Sequence, residues 1–299
     1  MNLNHLETFH HFCRFMNMSR AAEHLHITQP AVSQQLRAFQ AECGVQLFYR
    51  EAKQYKLTST GEDLFLLSKR IFLRIEQIEE MLARQREADA DTLRVGIAKA
   101  YAQIIMPDIM QKFQRKYPKT HVLLSEANSA DLIARLRRGK EDLVVIARSD
   151  YDSSLQAVNF AKAELVLVAR PDHPLAQLGT ISIKHLNGES MITRESGSGS
   201  RVAVIQTLER YGVRPSVIIE SESLGFILGY LERRMGVAFI LSHEIVKELA
   251  QGTLKQIPLE EGTIIFRADI VRRKDQPFSL PMTYFFEVLK KHGEENLPQ

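Results

Sequence analysis

Cysteine is scarce: only Cys13 and Cys43 occur in 299 residues. About thirty residues separate them and no CxxC pair exists, so neither a disulfide framework nor a thiolate metal site is indicated, and a reduced, buried pair is expected. No positively charged segment with an apolar core opens the chain, and no apolar run is long enough to span a bilayer, so a cytoplasmic protein with no membrane partner is expected. A strong excess of one charge is also lacking. The net charge of +3 is too weak by itself to demand a nucleic-acid partner. Catalytic signatures are missing as well. Ser196-Gly197-Ser198-Gly199-Ser200 has no flanking glycine pair of a nucleophile elbow. Gly197-x-Gly199 runs on to Val202 where a dinucleotide fingerprint needs its third glycine, and no Gly-Lys-Ser/Thr phosphate loop occurs. Lys247 stands where a zinc-protease helix opening His243-Glu244 needs its second histidine. His10-His11 and His24-x-His26 read as surface or packed helix residues. No catalytic residue, metal or cofactor is expected.

What the chain does contain begins at Ser19. The stretch from Ser19 to Leu57 reads as a winged helix-turn-helix. Ser19 can cap a short helix reaching about His26, with Ala21, Ala22 and Leu25 facing a partner. The two alanines allow close helix approach. Ile27 fills the corner, and Thr28 caps a second helix that tolerates Pro30 in its first turn. Ala31, Val32, Leu36 and Phe39 face inward, leaving Gln29, Ser33, Gln34 and Arg37 near the exposed N-terminal part. Those side chains suit base edges and phosphates: Gln is bidentate to adenine, Arg binds guanine or phosphate, and Ser binds either. Upstream, Asn4 with Glu7 reads as a capping pair for a first helix whose apolar face is Leu6, Phe9, Phe12 or Cys13, and Met16. Downstream, Phe48 to Leu57 is short, basic and β-prone, a wing with Arg50, Lys53 and Lys56 beside the DNA backbone. Six Lys/Arg against four Asp/Glu, with five His, fall within residues 1–60, a modest positive bias where DNA would lie.

The run Ala21-Ala22-Glu23-His24-Leu25-His26-Ile27-Thr28-Gln29-Pro30-Ala31-Val32-Ser33 resembles the signature of the LysR-type transcriptional regulators. So do Gly44-Val45-Gln46-Leu47-Phe48-Tyr49-Arg50 and Leu57-Thr58-Ser59-Thr60-Gly61, where Thr60 replaces the family's usual Ala. The resemblance covers nearly the whole chain. It implies an α+β multidomain fold: an N-terminal winged helix-turn-helix, a long linker helix, and a two-lobed effector domain like a periplasmic solute-binding protein. The boundaries are 1–60, then 61–91 for linker helix and hinge, then 92–299, with lobe I at about 92–160 and 267–299 and lobe II at about 161–266.

From about Thr60 to Glu87 there is no proline, and no glycine after Gly61. Leu64, Leu67, Ile71, Ile75, Ile78 and Leu82 recur at spacings of three and four, which predicts one long amphipathic helix. Such a stripe is expected to pair with its copy in a homodimer, holding two motifs over successive major grooves. Packing on its own effector domain is the alternative. The polar run from Arg86 to Asp91 is the expected hinge. Beyond Thr92 strands and helices alternate, the pattern of α/β layers with parallel sheets. Crossovers between the lobes are expected near Arg148–Phe160 and Thr263–Ile270.

Two strand-to-helix junctions suit a ligand, since helix N-termini outside strand ends favour anions. One is Ala98-Lys99-Ala100-Tyr101; the other is Arg194 to Arg201, with Ser196, Ser198, Ser200 and Arg201 as donors. A flexible Gly/Ser turn with capping serines is the alternative for the second. Relatives often carry Ser or Thr where Ala98 and Ala100 stand, which removes two hydroxyl donors. Arg148, at the end of a strand, is expected to face the same cleft, and with Lys99 and Arg201 suggests a small anionic metabolite. The loop Arg194–Arg201 also resembles that of regulators of sulfur assimilation and carbon fixation, too short a match to choose a pathway. The expectation is a sequence-specific regulator of promoter DNA, dimeric and then tetrameric, whose effector alters DNA bend or RNA polymerase contact. The rivals are a cytoplasmic small-molecule-binding protein, or an enzyme on the α/β lobes, with an incidental helical N-terminal domain.

Overall fold

The computed structural model describes residues 2–52, 54–86, 92–233, 236–276 and 278–296. The chain divides into two compact units, Met1–Glu87 and Ala88–Gln299. The expected hinge therefore brackets the division, but its residues 87–91 lie outside the described residues.

In the first unit α1 (Leu3–Phe15), α2 (Met18–Leu25) and α3 (Gln29–Cys43) enclose a core of Leu6, Phe9, Phe12, Cys13, Ala21, Ala22, Val32, Leu36 and Phe39. Ala21 is wholly buried, as close packing of α1, α2 and α3 requires. Both early caps differ from expectation. Asn2, not Asn4, caps α1, and Asn17 caps α2 by accepting from the Ser19 and Arg20 N–H groups. Ser19 is thus inside the helix. The difference is physical: an Asn carboxamide reaches back to the first-turn amides from outside the helix. α1 ends earlier than Met16, which adopts a left-handed conformation at the cap (φ 47°). Thr28 caps α3 as expected, accepting from Ala31 N–H at 3.4 Å, with Pro30 in the first turn. The wing is a hairpin of β1 (Phe48–Glu51) and β2 (Gln54–Leu57).

α4 runs from Ser59 to Arg86 as one helix. Leu67, Ile71, Ile78 and Leu82 are exposed, together with Leu66 and Met81, and Ile75 is half-buried. Leu64 departs from the expected stripe: with Phe65 and Phe72 it packs against the core of its own unit.

The second unit begins with β3 (Thr92–Ala98), α5 (Lys99–Lys116), β4 (His121–Ala127), α6 (Ser129–Arg137) and β5 (Leu143–Ala147). Strands β4, β3 and β5 are parallel, and β5 is buried throughout, the pattern of a central parallel strand. β6 (Leu155–Ala169) follows, then α7 (Pro174–Gln177), β7 (Ser190–Arg194), α8 (Gly199–Arg210), β8 (Ser216–Ser221), α9 (Leu224–Leu231), β9 (Ala238–Leu241), α10 (Val246–Gln251), β10 (Lys255–Ile257), β11 (Ile264–Arg273) and α11 (Leu280–Asn296).

The crossovers are not loops. β6 and β11 form one long antiparallel pair, so a seven-stranded sheet in the order β10-β6-β11-β5-β3-β4, with β9 also on β6, passes through both lobes. The sheet is consequently mixed rather than parallel. The first crossover was expected at Arg148–Phe160, but from Leu155 onward this segment is already strand. A register shift between Ala268 and Asp269 marks where β11 passes from pairing Ala161 to pairing Asn159. α11 closes over this pair with Gly293, where a Cβ would lie 2.1 Å from Phe160 O. Among the described residues no helix is long and apolar enough to cross a membrane.

Candidate nucleic-acid interface and ligand cleft

α3 presents Gln29, Pro30, Gln34 and Arg37 to solvent, with Ser33 half-buried beside them. The Thr28 hydroxyl is engaged in the cap. On the wing, Arg50 lies opposite Tyr55, its guanidinium 5.8 Å from that ring centroid. Lys56 is ion-paired across the hairpin with Glu51, which reduces its value as a free phosphate contact. Lys53, the third wing cation, lies outside the described residues. A groove of about 550 Å³ connects the recognition helix to the wing, lined by Met16, Asn17, Met18, Ser19, Gln29, Arg50, Gln54 and Tyr55. Asn17 and Ser19 were not singled out for this face. Ser19 was read only as a helix cap, which says nothing about what else the helix end meets, and Asn17 was not read at all.

Behind this face, His10 sits where α1 meets α4. Its Nδ1 is 2.9 Å from Ser68 Oγ, and its ring packs on Phe65, Phe72 and His11. Burial, then His11, Arg14 and Lys69, lower its pKa to about 4. A histidine lowered in the fold stabilises it above the ordinary value near 6.5 and loses that contribution as pH falls toward 4. Acidifying from pH 7 to 4 should therefore cost the DNA-binding unit on the order of 2 kcal/mol through this group, discounted for its partial exposure. His10→Phe should flatten the melting temperature across that window.

In the second unit the two lobes meet where three helices begin. Ala98, Lys99 and Ala100 open α5; Asn128 and Ser129 precede and open α6; Ser198, Gly199 and Ser200 open α8. With Ala127, Arg194, Glu195 and Phe266 they line a central chamber of about 20 Å³. That is room for a water or two. Gly197 O accepts from Ala130 N–H at 3.3 Å, and a Cβ on Gly199 would stand 1.9 Å from the Ala147 Cβ. The Asn128 side chain caps α6 by accepting from Asp131 N–H. The caps of α5 and α8, Ala98 and Ser198, make no side-chain hydrogen bond to their helices. Ser198 Oγ is instead 3.0 Å from Ser200 Oγ.

Several expected ligand residues are placed differently. α5 already starts at Lys99 within the expected junction, so Tyr101 is the third residue of a helix and packs on Phe160 and Phe266 of the sheet. It is 1% exposed, stacked on His243 and edge-on to Phe160, so it offers no hydroxyl to the chamber. Lys99 Nζ is 2.9 Å from Glu222. Arg201 pairs with Glu220 and donates to Arg194 O at 3.1 Å. Arg148 does not face the chamber. Its Nε and Nη2 grip Asp269 at 3.0 and 2.7 Å and its Nη2 reaches Asn159 at 3.1 Å, the two residues paired with each other just beyond the register shift. Ser196 is exposed and lines neither the chamber nor the cavities beside it. Each cation that suggested an anionic ligand thus has a carboxylate partner. Asn128 and Ser129 were not singled out, since neither adds a charge or a glycine turn at the strand-to-helix junction.

A second cavity, of about 580 Å³, opens beside Lys99 toward α9, with Glu126, Glu222, His243 and Glu244 in its walls. Burial raises the Glu244 carboxyl to about 7, against the opposing pull of Arg194. His243 Nε2 lies 3.2 Å from Ala100 O, another contact holding the lobes together.

Residues 3–62 match the bacterial regulatory helix-turn-helix protein family of lysR type, and residues 86–294 match the LysR substrate binding domain. The chain belongs to the LysR family. It is a transcription regulator with a helix-turn-helix DNA-binding domain and an effector-binding domain, and its relatives are regulators rather than enzymes. A RuBisCO operon transcriptional regulator of Allochromatium vinosum is 34% identical over 211 residues, covering 71% of this chain and 68% of that protein. The transcriptional activator CmpR of Synechocystis is 26% identical over 292 residues, covering 98% of this chain and 96% of its own. Among solved structures, the regulatory domain of Synechocystis CcmR in complex with 2-PG superimposes with a TM-score of 0.63 at 28% identity. It covers 69% of this LysR chain and 99% of that domain. LysR regulators bind promoter DNA and small-molecule effectors, and the two sites described above lie in the corresponding domains.

Proposed function

We propose that this LysR regulator is a cytoplasmic homodimer, assembled further into a homotetramer, that reads a palindromic promoter site and answers to a small anion held between its lobes. One observation carries the ligand reading. The N-termini of α5 and α8, from opposite lobes, face one chamber without side-chain caps. Their first-turn amides and positive dipole ends suit an anion that touches both lobes at once. Ala98 has no side-chain acceptor of its own, which leaves these donors to the ligand. The exposed stripe of α4 supports the dimer. The edge strands β4 and β8, with exposed Leu123, Leu124, Val217 and Ile218, support the tetramer. Effector binding shifts the balance of lobe arrangements and so DNA bend or polymerase contact, with no further cofactor.

CcmR's ligand, 2-PG, is the first compound to test. A chamber of about 20 Å³ must widen to admit it. Ala98→Asp places a carboxylate where it caps α5 and repels an anion. Affinity for the ligand should fall at least about tenfold, one lost charge-assisted hydrogen bond, while footprints without ligand stay unchanged. An unaltered affinity in calorimetry would defeat the chamber assignment.

For DNA, footprinting upstream of the protein's own gene should show a bipartite protected site. Gln34→Ala should relax base preference at one position in each half-site, by about 1–3 kcal/mol. Arg50→Ala should instead weaken all sequences alike and lower the salt slope by about 1. Equal effects of both on specific and non-specific DNA would sink the assignment of α3 as the reading helix.

A further inference from the structure

Residues 115–121, 135–142 and 272–275 together hold ten Lys/Arg against three Asp/Glu. The whole chain is only +3, and residues 1–60 hold six Lys/Arg against four Asp/Glu, so the positive charge is concentrated in these three segments of the effector-binding unit. The fold brings them to one end of one sheet. β3, β4 and β5 begin there and β11 ends there: Thr92 pairs with His121, Val95 with Leu143, and Leu143 with Arg272. Arg273 Nη1 donates to Leu136 O at 2.6 Å and to Glu141 O at 3.3 Å, which ties the turn after β11 to the turn before β5. α5 shares a core cluster with Val95 and Val145, and α6 shares another with Val144 and Ile146. The two helices therefore cover opposite faces of the sheet, and both finish at this same end.

The carboxylates at this end are used internally. Glu141 and Asp142 are buried. Glu141 accepts from Arg135 at 2.9 Å and from Ser125, and Asp142 accepts from Arg94 N–H and from Gln276. Asp275 lies 3.5 Å from Arg273. In contrast, Arg115, Lys119, Lys140 and Lys274 are exposed and form no ion pair among the described residues. Lys116 is exposed as well, its Nζ 4.2 Å from the centroid of the Tyr284 ring. Cations in the last turn of a helix are ordinary, because they meet the negative end of its dipole. That accounts for Arg115, Lys116, Arg135 and Arg137. It does not account for Lys119, Lys140 and Lys274, which stand in the turns beyond, where the dipole has faded. Four of the five exposed cations are lysines, which protein interfaces disfavour and phosphate backbones attract.

We infer that this end of the β4-β3-β5-β11 sheet is a second DNA contact, gripping the phosphate backbone of duplex that flanks the sequence read by α3. Four neighbouring strands span about 14 Å, and helix ends widen the face on both sides. Duplex DNA carries one charge per about 1.7 Å, so such a face meets several phosphates at once. The contact reads no sequence. Each ion pair can be weak, because DNA already held by α3 is tethered to the same molecule. The inference does not depend on an anion entering the chamber.

The test uses the full-length protein and the DNA upstream of its own gene, as two duplexes. One is trimmed to the footprint; the other is extended on each side by about 30 bp, three helical turns. Lys119→Gln, Lys140→Gln and Lys274→Gln together remove three exposed charges and touch no core residue. On the extended duplex this triple variant should bind about tenfold or more weakly than the wild type, with a salt slope shallower by about 3. On the trimmed duplex the two proteins should agree. Lys184→Gln, Arg210→Gln and Arg214→Gln change the net charge equally from exposed positions elsewhere in the unit, and should leave both duplexes bound as by the wild type. Equal binding of the extended duplex by the first variant and the wild type overturns the contact. An equal loss in both triple variants also overturns it, since net charge alone then explains the effect. Intact DNA binding with lost transcription in a purified polymerase assay assigns the face to an acidic protein partner and overturns the DNA contact as well. The trimmed duplex reports on α3 and the wing alone, so failure of the reading helix would be seen separately.

Discussion

Gly199→Ala is expected to abolish the ligand response of the effector domain while leaving the footprint of the unliganded protein in place. The residue opens α8 on lobe II and touches the end of β5 on lobe I. A methyl there would stand 1.9 Å from the Ala147 Cβ and 3.4 Å from its Cα. Carbon atoms rest at about 3.5–4.0 Å, so the lobes must part by about 2 Å at this point. Ala147 has no flexible end to move aside, and its backbone is anchored: its N–H donates to Ser129 Oγ at 3.2 Å, within a strand paired on both edges. Opening also stretches the Gly197 O to Ala130 N–H bond. The α5 and α8 amides then no longer converge on one small anion. Calorimetry with 2-PG and footprints with and without it are the measurements. A wild-type response in this variant would mean that lobe closure is not what the ligand reports. The change leaves the DNA-binding unit untouched in sequence, so unfolding of that unit cannot explain a loss.

The same contacts indicate what a reader of the sequence could and could not see. The recognition helix was legible because its determinants are local. Thr28 caps within three residues, Pro30 fits the first turn, and Val32, Leu36 and Phe39 repeat at helical spacing. The length of α4 was legible for the same reason. The pairing of the cations was not. Lys99 meets Glu222 and Arg148 meets Asp269 across separations of more than a hundred residues. A cation read alone therefore looks available when its charge is already matched. β6 was misplaced because Asn159, Lys162 and Glu164 interrupt its apolar pattern. Those polar residues sit where the strand leaves one lobe and enters the other, and Asn159 is used there, holding Arg148. Tyr101 was assigned to the chamber from its place in a loop that turned out to be helix. As part of the first turn of α5 it packs against Phe160, His243 and Phe266 instead.

Gly61→Ala should produce the largest loss in the DNA-binding unit, a fall in its stability on the order of 3 kcal/mol with loss of specific binding. In an ordinary helix the same change would help by about 1 kcal/mol, since alanine is the better helix former. Here the first turn of α4 is pressed against the strand entering the wing, and a Cβ on Gly61 would lie 2.0 Å from Leu47 O. That oxygen also accepts from Thr58 N–H at 3.0 Å, and Thr58 Oγ1 in turn caps α4 through Gly61 N–H at 3.1 Å. Leu47 is fully buried, and its N–H donates to Gln40 Oε1 of α3 at 2.8 Å. A carbonyl held from both sides cannot retreat, so the overlap must be relieved by moving α4, the wing or α3. Any of these displaces Arg50 or Gln34 from the surface they share. The glycine that ends the motif Leu57-Thr58-Ser59-Thr60-Gly61 is thus required by a backbone approach, and Thr60, the one departure within it, is tolerated because it is exposed. The expected loss corresponds to a drop of roughly 10–20 °C in the melting temperature of this unit. Thr60→Ala, one residue away and without such a contact, should leave melting and footprint unchanged. If both variants melt together with the wild type, the approach of α4 to Leu47 does not hold the motif in place, and the rigidity of the reading surface must come from the α1–α3 core alone.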